Sequence, residues 1–318
     1  MSAVDAAFVR RSPPKGAGFD PIFKWTCAFA ATVLLASLTG IVIALAIGGA
    51  PAFAKFGFGF FTNSHWNPVT EVYGAEGPIV GTLISAILAL IFSLPIAFGV
   101  AVFLVEFCPG PLRRPIGVAV ELLAGIPSIV YGMWGLFVFA PLFAQYVQLP
   151  LMTAAPPGSI WDTLTQGTPN GANIFTASII LAIMILPYMA AVLRDLFLTV
   201  PVHLRESGYG MGSTTFEVIT SITLPYVRRS AIGAVMLGLG RALGETMAVT
   251  FVIGNSHLLP KSLFDSGSTI ASTIANEFNE STTDMHTASL IALGLVLFLI
   301  TFVVLAIARA LLGADKTA

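Results

Sequence analysis

Six long apolar runs, each about as long as a bilayer is thick, decide what this chain can fold into. A helix rises 1.5 Å per residue, so about 20 apolar residues cross a hydrocarbon core some 30 Å thick. The runs fall at 25–47, 79–105, 122–143, 174–193, 231–253 and 288–308. The expectation is therefore an all-α membrane protein of six transmembrane helices. Composition agrees, with 56% hydrophobic and only 10% charged residues, where a soluble domain carries about a quarter charged. The first run follows basic residues and precedes Ala52-Phe53-Ala54, which looks like a signal-peptide cleavage site. Its apolar core is too long for a signal peptide and five further runs follow, so it reads as a retained span.

Lysine and arginine then set the orientation, because they accumulate on the cytoplasmic side of a membrane. Arg10, Arg11, Lys15, Lys24, Arg113, Arg114, Arg194, Arg205, Arg228, Arg229, Arg309 and Lys316 all fall on one side of the alternating topology. Only Lys55 and Lys261 fall on the other. Both termini and the 200–225 loop are thus expected in the cytoplasm. The chain divides into a loose tail at 1–21, a membrane domain at 22–312 and a short tail at 313–318.

Residues 200–225 form the longest amphipathic, charged segment between apolar runs. Pro201 suits a first helical turn, and His203 to Tyr209 continue it. Gly210 and Gly212 supply the positive φ that ends a helix. Thr214 and Glu217 have capping-box spacing for a second short helix. Phe216, Ile219 and Ile222 fall near one face of that helix, and Pro225 follows its end. Two short helices joined by glycines need a surface on which to dock.

The membrane interior is mostly free of charge, which makes Arg241 and Glu245 conspicuous. Ten residues into its run, Arg241 lies about 15 Å deep at 1.5 Å per residue, where a charge costs about 2.5–3.5 kcal/mol on insertion scales. Glu245, four residues on, offers a local partner, in the less favourable Arg-then-Glu order. Gly240 and Gly244 would let another helix come close. Two roles fit: a pair that fixes helix packing, or a polar pathway in which Arg241, with Glu245 and Thr246, meets an anion. A guanidinium suits phosphate because its planar fork matches two oxygens at once. On the second reading Glu245 holds Arg241 until the anion arrives.

The remaining segments say less. The aromatic stretch Phe53, Phe56, Phe58, Phe60, Phe61, Trp66 and Tyr73 suits the membrane interface, or an apolar platform for an external partner. Pro95, Pro127 and Pro187 predict bent helices. The last outer loop carries Asp265, Glu277, Glu280 and Asp284 against Lys261, an acidic excess that repels free anions. Cys27 and Cys108 read as structural, without a disulfide. His65, His203, His257 and His286 lack metal-ligand spacing and read as ordinary polar residues. No Gly-Lys dipeptide occurs, so the chain has no Walker A loop.

The 200–225 segment resembles the EAA loop of ABC-importer permeases, E-A-A-x3-G-x9-I-x-L-P. Glu206, Gly212, Ile222, Leu224 and Pro225 meet every spacing, with Ser207 and Gly208 in place of the two alanines. Further matches are Trp66-Asn67-Pro68, Gly81-Thr82-Leu83, Gly125-Ile126-Pro127-Ser128-Ile129-Val130-Tyr131-Gly132 and Gly240-Arg241-Ala242-Leu243-Gly244-Glu245-Thr246-Met247-Ala248-Val249. Together they resemble the permease subunits of phosphate-specific ABC importers, and the Gly-Glu-Thr-Met-Ala-Val ending is similar to their PstC type.

That resemblance implies a type I ABC-importer architecture with a coupling helix between spans four and five. It also implies a sister permease of the PstA type, a PstB-type ATPase dimer and an external PstS-type phosphate-binding protein. ATP and Mg would be used by the ATPase, with no cofactor in this chain, which is a transport subunit and no enzyme itself. The coupling residues would be Glu206, Ser207, Gly208, Gly212, Phe216, Ile222, Leu224 and Pro225. Two rivals stand beside this reading: a permease for another oxyanion such as sulfate or molybdate, and a self-sufficient secondary transporter gated by Arg241 and Glu245. A membrane hydrolase is set aside for want of a nucleophile–base or metal constellation.

Overall fold

A computed structural model describes residues 20–314. The tails at 1–19 and 315–318, with Arg10, Arg11, Lys15 and Lys316, lie outside the described residues. The chain divides into a first unit ending at Ile47 and a second from Gly48 onward. The described part of the first unit is helical throughout and belongs to α1 (Asp20–Phe56), which runs on into the second.

In the second unit, α2 (Gly59–Thr62) leads to a small hairpin, β1 (Trp66–Asn67) against antiparallel β2 (Val72–Tyr73). Then come α3 (Glu76–Val102), ending in a widened π turn at Phe103–Phe107, and α4 (Gly110–Ala124). A continuous helix follows: α5 (Ser128–Trp134), α6 (Ala140–Phe143) and α7 (Leu149–Ala154), joined by π turns. After α8 (Ile160–Thr165) and α9 (Ile174–Leu198) come α10 (Val202–Gly210) and α11 (Thr215–Val218). A π turn at Ile219–Thr223 carries α11 into α12 (Leu224–Leu243). The chain ends in α13 (Met247–Val252), α14 (Ile270–Glu277) and α15 (Asp284–Ala314).

The second unit is built on α3 and α9. Buried Ala86, Ala89, Ser93, Ala97 and Ala101 recur at three- and four-residue spacing along α3 and make one smooth face. Small residues let helix backbones approach closely in lipid, and α9 fills the space with Leu181, Met184, Ile185, Met189 and Leu193. Asn173 caps α9, its side chain accepting from the Thr176 amide at 2.8 Å.

Among the described residues, five helices are long and apolar enough to cross a membrane: Asp20–Phe56, Glu76–Phe107, Ser128–Ala154, Ile174–Leu198 and Asp284–Ala310. Two expected spans differ. The run 122–143 is not one helix, because Pro127 donates no amide hydrogen and disfavours helical backbone before it. The chain breaks at Gly125-Ile126-Pro127, and the membrane helix starts at Ser128 and continues to Ala154. The run 231–253 is likewise split, at Gly244-Glu245-Thr246 between α12 and α13. These breaks are neighbours, since α5 packs on α13. A Cβ on Gly132 would stand 2.9 Å from Ala248 Cα, so only glycine allows that approach.

Candidate functional site

The break in the fifth apolar run places the interior charges differently from the expectation. Arg241 lies in the last turn of α12 and is exposed on this chain. Its Cζ stands 5.7 Å from the Tyr188 ring centroid, a cation–π distance. Among the described residues no ion pair joins it to Glu245. Glu245 turns the other way, and its Oε1 accepts from the Ala248 amide at 3.3 Å. Thr246 stays on its own backbone, its hydroxyl donating to Gly244 O at 3.4 Å. Glu245 therefore closes the first turn of α13, and Arg241 is exposed with no carboxylate partner among the described residues. Among the described residues, a Cβ at Gly240 would meet only the Leu305 tip at 3.9 Å, and one at Gly244 only the Gly240 carbonyl oxygen of its own helix at 3.7 Å.

The 200–225 segment follows its sequence closely at the start. Helix α10 ends in a Schellman motif: Gly212, at φ +87, donates to Tyr209 O at 2.9 Å and Ser213 to Gly208 O at 3.1 Å. Gly210 remains helical. The Thr214–Glu217 capping box is present, with the Thr214 amide donating to Glu217 Oε2 at 2.7 Å. Those bonds hold the Glu217 carboxyl below its usual range. The second short helix does not stop at Pro225. The π turn at Ile219–Thr223 absorbs the missing proline amide and the helix continues as α12.

Nor do the apolar residues of this segment share one docking face. Ile219 is buried, Ile222 is half-buried, and Phe216 is 74% exposed. Val202 and Met211 of the same segment are also exposed, at 64% and 80%, as are Glu206 and Ser207. Gly208 is buried, and a Cβ there would come within 2.6 Å of Ile222 Cδ1. The glycine therefore makes room for the isoleucine rather than merely loosening the turn. Leu224 and Pro225 line an apolar groove of about 700 Å³ with Pro95, Phe98 and Leu193.

A second cluster escaped sequence reasoning. Glu277, at the end of α14, accepts from Trp66 Nε1 at 2.7 Å and lies 2.9 Å from His257 Nε2 and 2.8 Å from His286 Nε2. Tyr73 stacks on His286, and Trp66 stacks on His257. Burial raises the Glu277 carboxyl, but the bonds from His257, Trp66 and His286 outweigh it and hold the group below its ordinary value. Burial chiefly, with the Glu71 and Glu277 charges, pushes the Tyr73 hydroxyl up. Phe60 and Tyr73 are core, not membrane-interface side chains. Two of the four acids of this loop are engaged, Glu277 in the cluster and Asp265 capping its own turn through the Lys261 and Ser262 amides. Trp66 and Glu277 are 211 positions apart, and no local spacing announces their contact. Cys27 and Cys108 are free thiols.

Comparison with known proteins places these features in context. The family model of the binding-protein-dependent transport system inner membrane component matches residues 98–312. The phosphate transport system permease protein PstC of Pasteurella multocida is 52% identical over 291 residues, covering 92% of this chain and 91% of that protein. Its counterpart in Mesorhizobium japonicum is 53% identical over 296 residues, covering 92% and 90%. Among solved structures, a bacterial alginate ABC transporter in complex with alginate pentasaccharide-bound periplasmic protein aligns with a TM-score of 0.60 at 16% identity. That alignment covers 96% of this chain and 99% of the other. An inward-facing MetNI methionine ABC transporter aligns with a TM-score of 0.51 at 17% identity, over 73% and 94%.

Proposed function

The chain belongs to the binding-protein-dependent transport system inner membrane component family, and from that premise we propose how it works as the permease subunit of an ATP-driven phosphate importer. It is a transport subunit; hydrolysis belongs to a separate ATPase. The carrying observation is identity of about half over nine-tenths of the chain with phosphate transport permeases. The subunit supplies half of the translocation path, with a sister permease supplying the other half. An ATPase dimer, using ATP and Mg, works from the cytoplasm, and an external binding protein delivers phosphate. Six spans cross the membrane, the third as Ser128–Ala154 and the fifth as the broken pair α12 and α13, with both termini cytoplasmic.

Helix α10 is the coupling helix on this reading. Glu206, Val202, Met211 and Phe216 are exposed and offer a carboxylate and apolar side chains to a groove on the ATPase. Ser207 leaves the exposed side of the helix unobstructed, and Gly208, Gly212 and Ile222 set its seat on the chain. Leu224 and Pro225 act at the junction with α12, where the groove leaves room for the helix to shift. ATP-driven closure would move α10 and rock the membrane helices about the path.

Arg241 is the residue that meets phosphate, with Thr246 beside it and Glu245 shaping the break. What supports this is an exposed guanidinium on an apolar run, resting on Tyr188 and not consumed by Glu245. Co-purification of the tagged chain with its ATPase and sister permease, followed by ATP-driven phosphate uptake in proteoliposomes, tests the assignment. Uptake by the purified chain alone under an ion gradient would overturn it.

A further inference from the structure

Helix α10 is joined to α9 and α12 by the chain itself, yet its side chains also reach a third membrane helix. Glu106 sits in the π turn Phe103–Phe107 that closes the α3 span. Its Oε1 lies 2.5 Å from Arg205 Nη2, and its Oε2 is 3.5 Å from the Tyr209 hydroxyl. Arg205 and Tyr209 are four residues apart and share one face of α10. Glu206, between them in sequence, is exposed. Adjacent residues thus divide the two sides of the helix, Arg205 toward α3 and Glu206 away from the chain.

The Glu106 side chain is 6% exposed and that of Arg205 18%. Charges so placed attract more strongly than surface pairs, and removing one leaves the other buried and unpaired. Arg113 fixes the backbone beside them, its Nη2 donating to Val105 O at 2.9 Å. The contact is held by charge and is only half made as hydrogen bonding. Among the described residues, Glu106 Oε1 and Arg205 Nε are both buried without a hydrogen-bond partner. A guanidinium can offer Nε and a terminal nitrogen together, so a small shift of α10 would let the fork close on the carboxylate.

We propose that Glu106 and Arg205, seconded by Tyr209, are positioning residues that carry a displacement of α10 directly to the α3 span. This rests on α10 being the coupling helix, and adds a route beside the covalent ones through α9 and α12. Since α3 and α9 form the core, a link to both would move the core as one body.

The test uses the assembled complex in proteoliposomes, measuring phosphate taken up per ATP hydrolysed for Glu106→Gln, Arg205→Gln and the swapped pair Glu106→Arg with Arg205→Glu. Each single variant should co-purify with the ATPase, hydrolyse ATP, and move at least tenfold less phosphate per ATP. The swapped pair should recover most of that ratio. Equal losses of hydrolysis and uptake, or an unchanged ratio in both single variants, would overturn the proposal. If the single variants fail to assemble, the swapped pair decides: restored assembly and coupling support the link, and failure to restore them overturns it. A wild-type complex that takes up no phosphate with ATP would instead sink the transport reading itself.

Discussion

Truncating Glu277 should loosen one end of the protein by a large and pH-dependent amount. Its carboxylate receives Trp66 Nε1 and His286 Nε2 on one oxygen and His257 Nε2 on the other, at 2.7–2.9 Å. A hydrogen bond to a charged group contributes about 1.5–3 kcal/mol, so three independent ones would sum to roughly 5–9 kcal/mol. They share a single carboxylate, and breaking a buried ionic site costs about 3–5 kcal/mol, so we take that lower range for Glu277→Ala. Glu277→Gln keeps one acceptor oxygen, enough for Trp66 and His286, while its amide can donate to an unprotonated His257 nitrogen. That variant should lose about 1–3 kcal/mol. For a chain of this size 1 kcal/mol moves a melting temperature by about 2–4 °C, so alanine should lower it by roughly 10 °C and glutamine by about half as much or less. The folded-state carboxyl is held below its ordinary value. Its contribution is therefore complete above the unfolded pKa, about 4.3, and is lost as pH falls through the lower folded value. Melting of the detergent-purified protein should fall more steeply below about pH 4 in wild type than in Glu277→Gln. An alanine variant melting within 2 °C of wild type, or identical acid limbs, would refute this account of the cluster.

Four further outcomes follow from named residues. Arg241→Gln should shift melting by only a few degrees, since among the described residues no carboxylate pairs with it and only the Tyr188 ring contact is lost, while ATP-driven phosphate uptake falls at least tenfold; Arg241→Lys should be intermediate. Glu206→Arg should leave the chain folded and in the membrane but break the link between phosphate uptake and ATP hydrolysis. Phe216→Ala should weaken ATPase binding about 10- to 100-fold, the equivalent of burying one large apolar side chain, as read by co-purification at graded detergent dilution. Gly132→Ala should cost about 1–3 kcal/mol by overpacking, because its Cβ meets Ala248 backbone that cannot swing aside; unchanged melting would show that α5 and α13 separate freely.

The helical membrane character was legible because it depends on composition over about 20 residues, which no tertiary contact can reverse. The capping box at Thr214 and Glu217 and the positive φ at Gly212 were legible for the same reason: cap and turn chemistry is local. The helix breaks were harder. Pro127 announced a bend, and the sequence reading spread it over a span when the chain in fact stops at Ala124 and restarts at Ser128. Gly244-Glu245-Thr246 contains no proline, and the apolar run on both sides masked the interruption. Pro225 misled in the opposite direction, since a π turn lets a helix pass a residue that ordinarily ends one. The cluster at Glu277 was beyond reach, because His257, His286 and Trp66 meet only after α3, α14 and α15 have packed.

The charge arrangement explains why Arg241 remains the residue to watch. Read along the sequence, the second unit has acids and bases in loose excess at its loops. In the fold several of them are engaged: Arg194 with Glu121 and Asp195, Arg205 with Glu106, Lys55 with Glu71, and Glu277 with two histidines. The neighbour that could have neutralised Arg241 is spent on the Ala248 amide, a bond that shapes α13. A cation in an apolar run costs free energy that something must offset, and an aromatic face offsets only about 0.5–2 kcal/mol. Among the described residues nothing supplies the remainder, so it is expected from water in a pathway, a partner helix, or an anion passing through. A lipid-facing position provides none of these, so the Arg241 face should be the one turned toward the sister permease. Cysteine crosslinking from position 240 or 244 to the sister subunit should therefore succeed, and crosslinking from lipid-side positions on α12 should not.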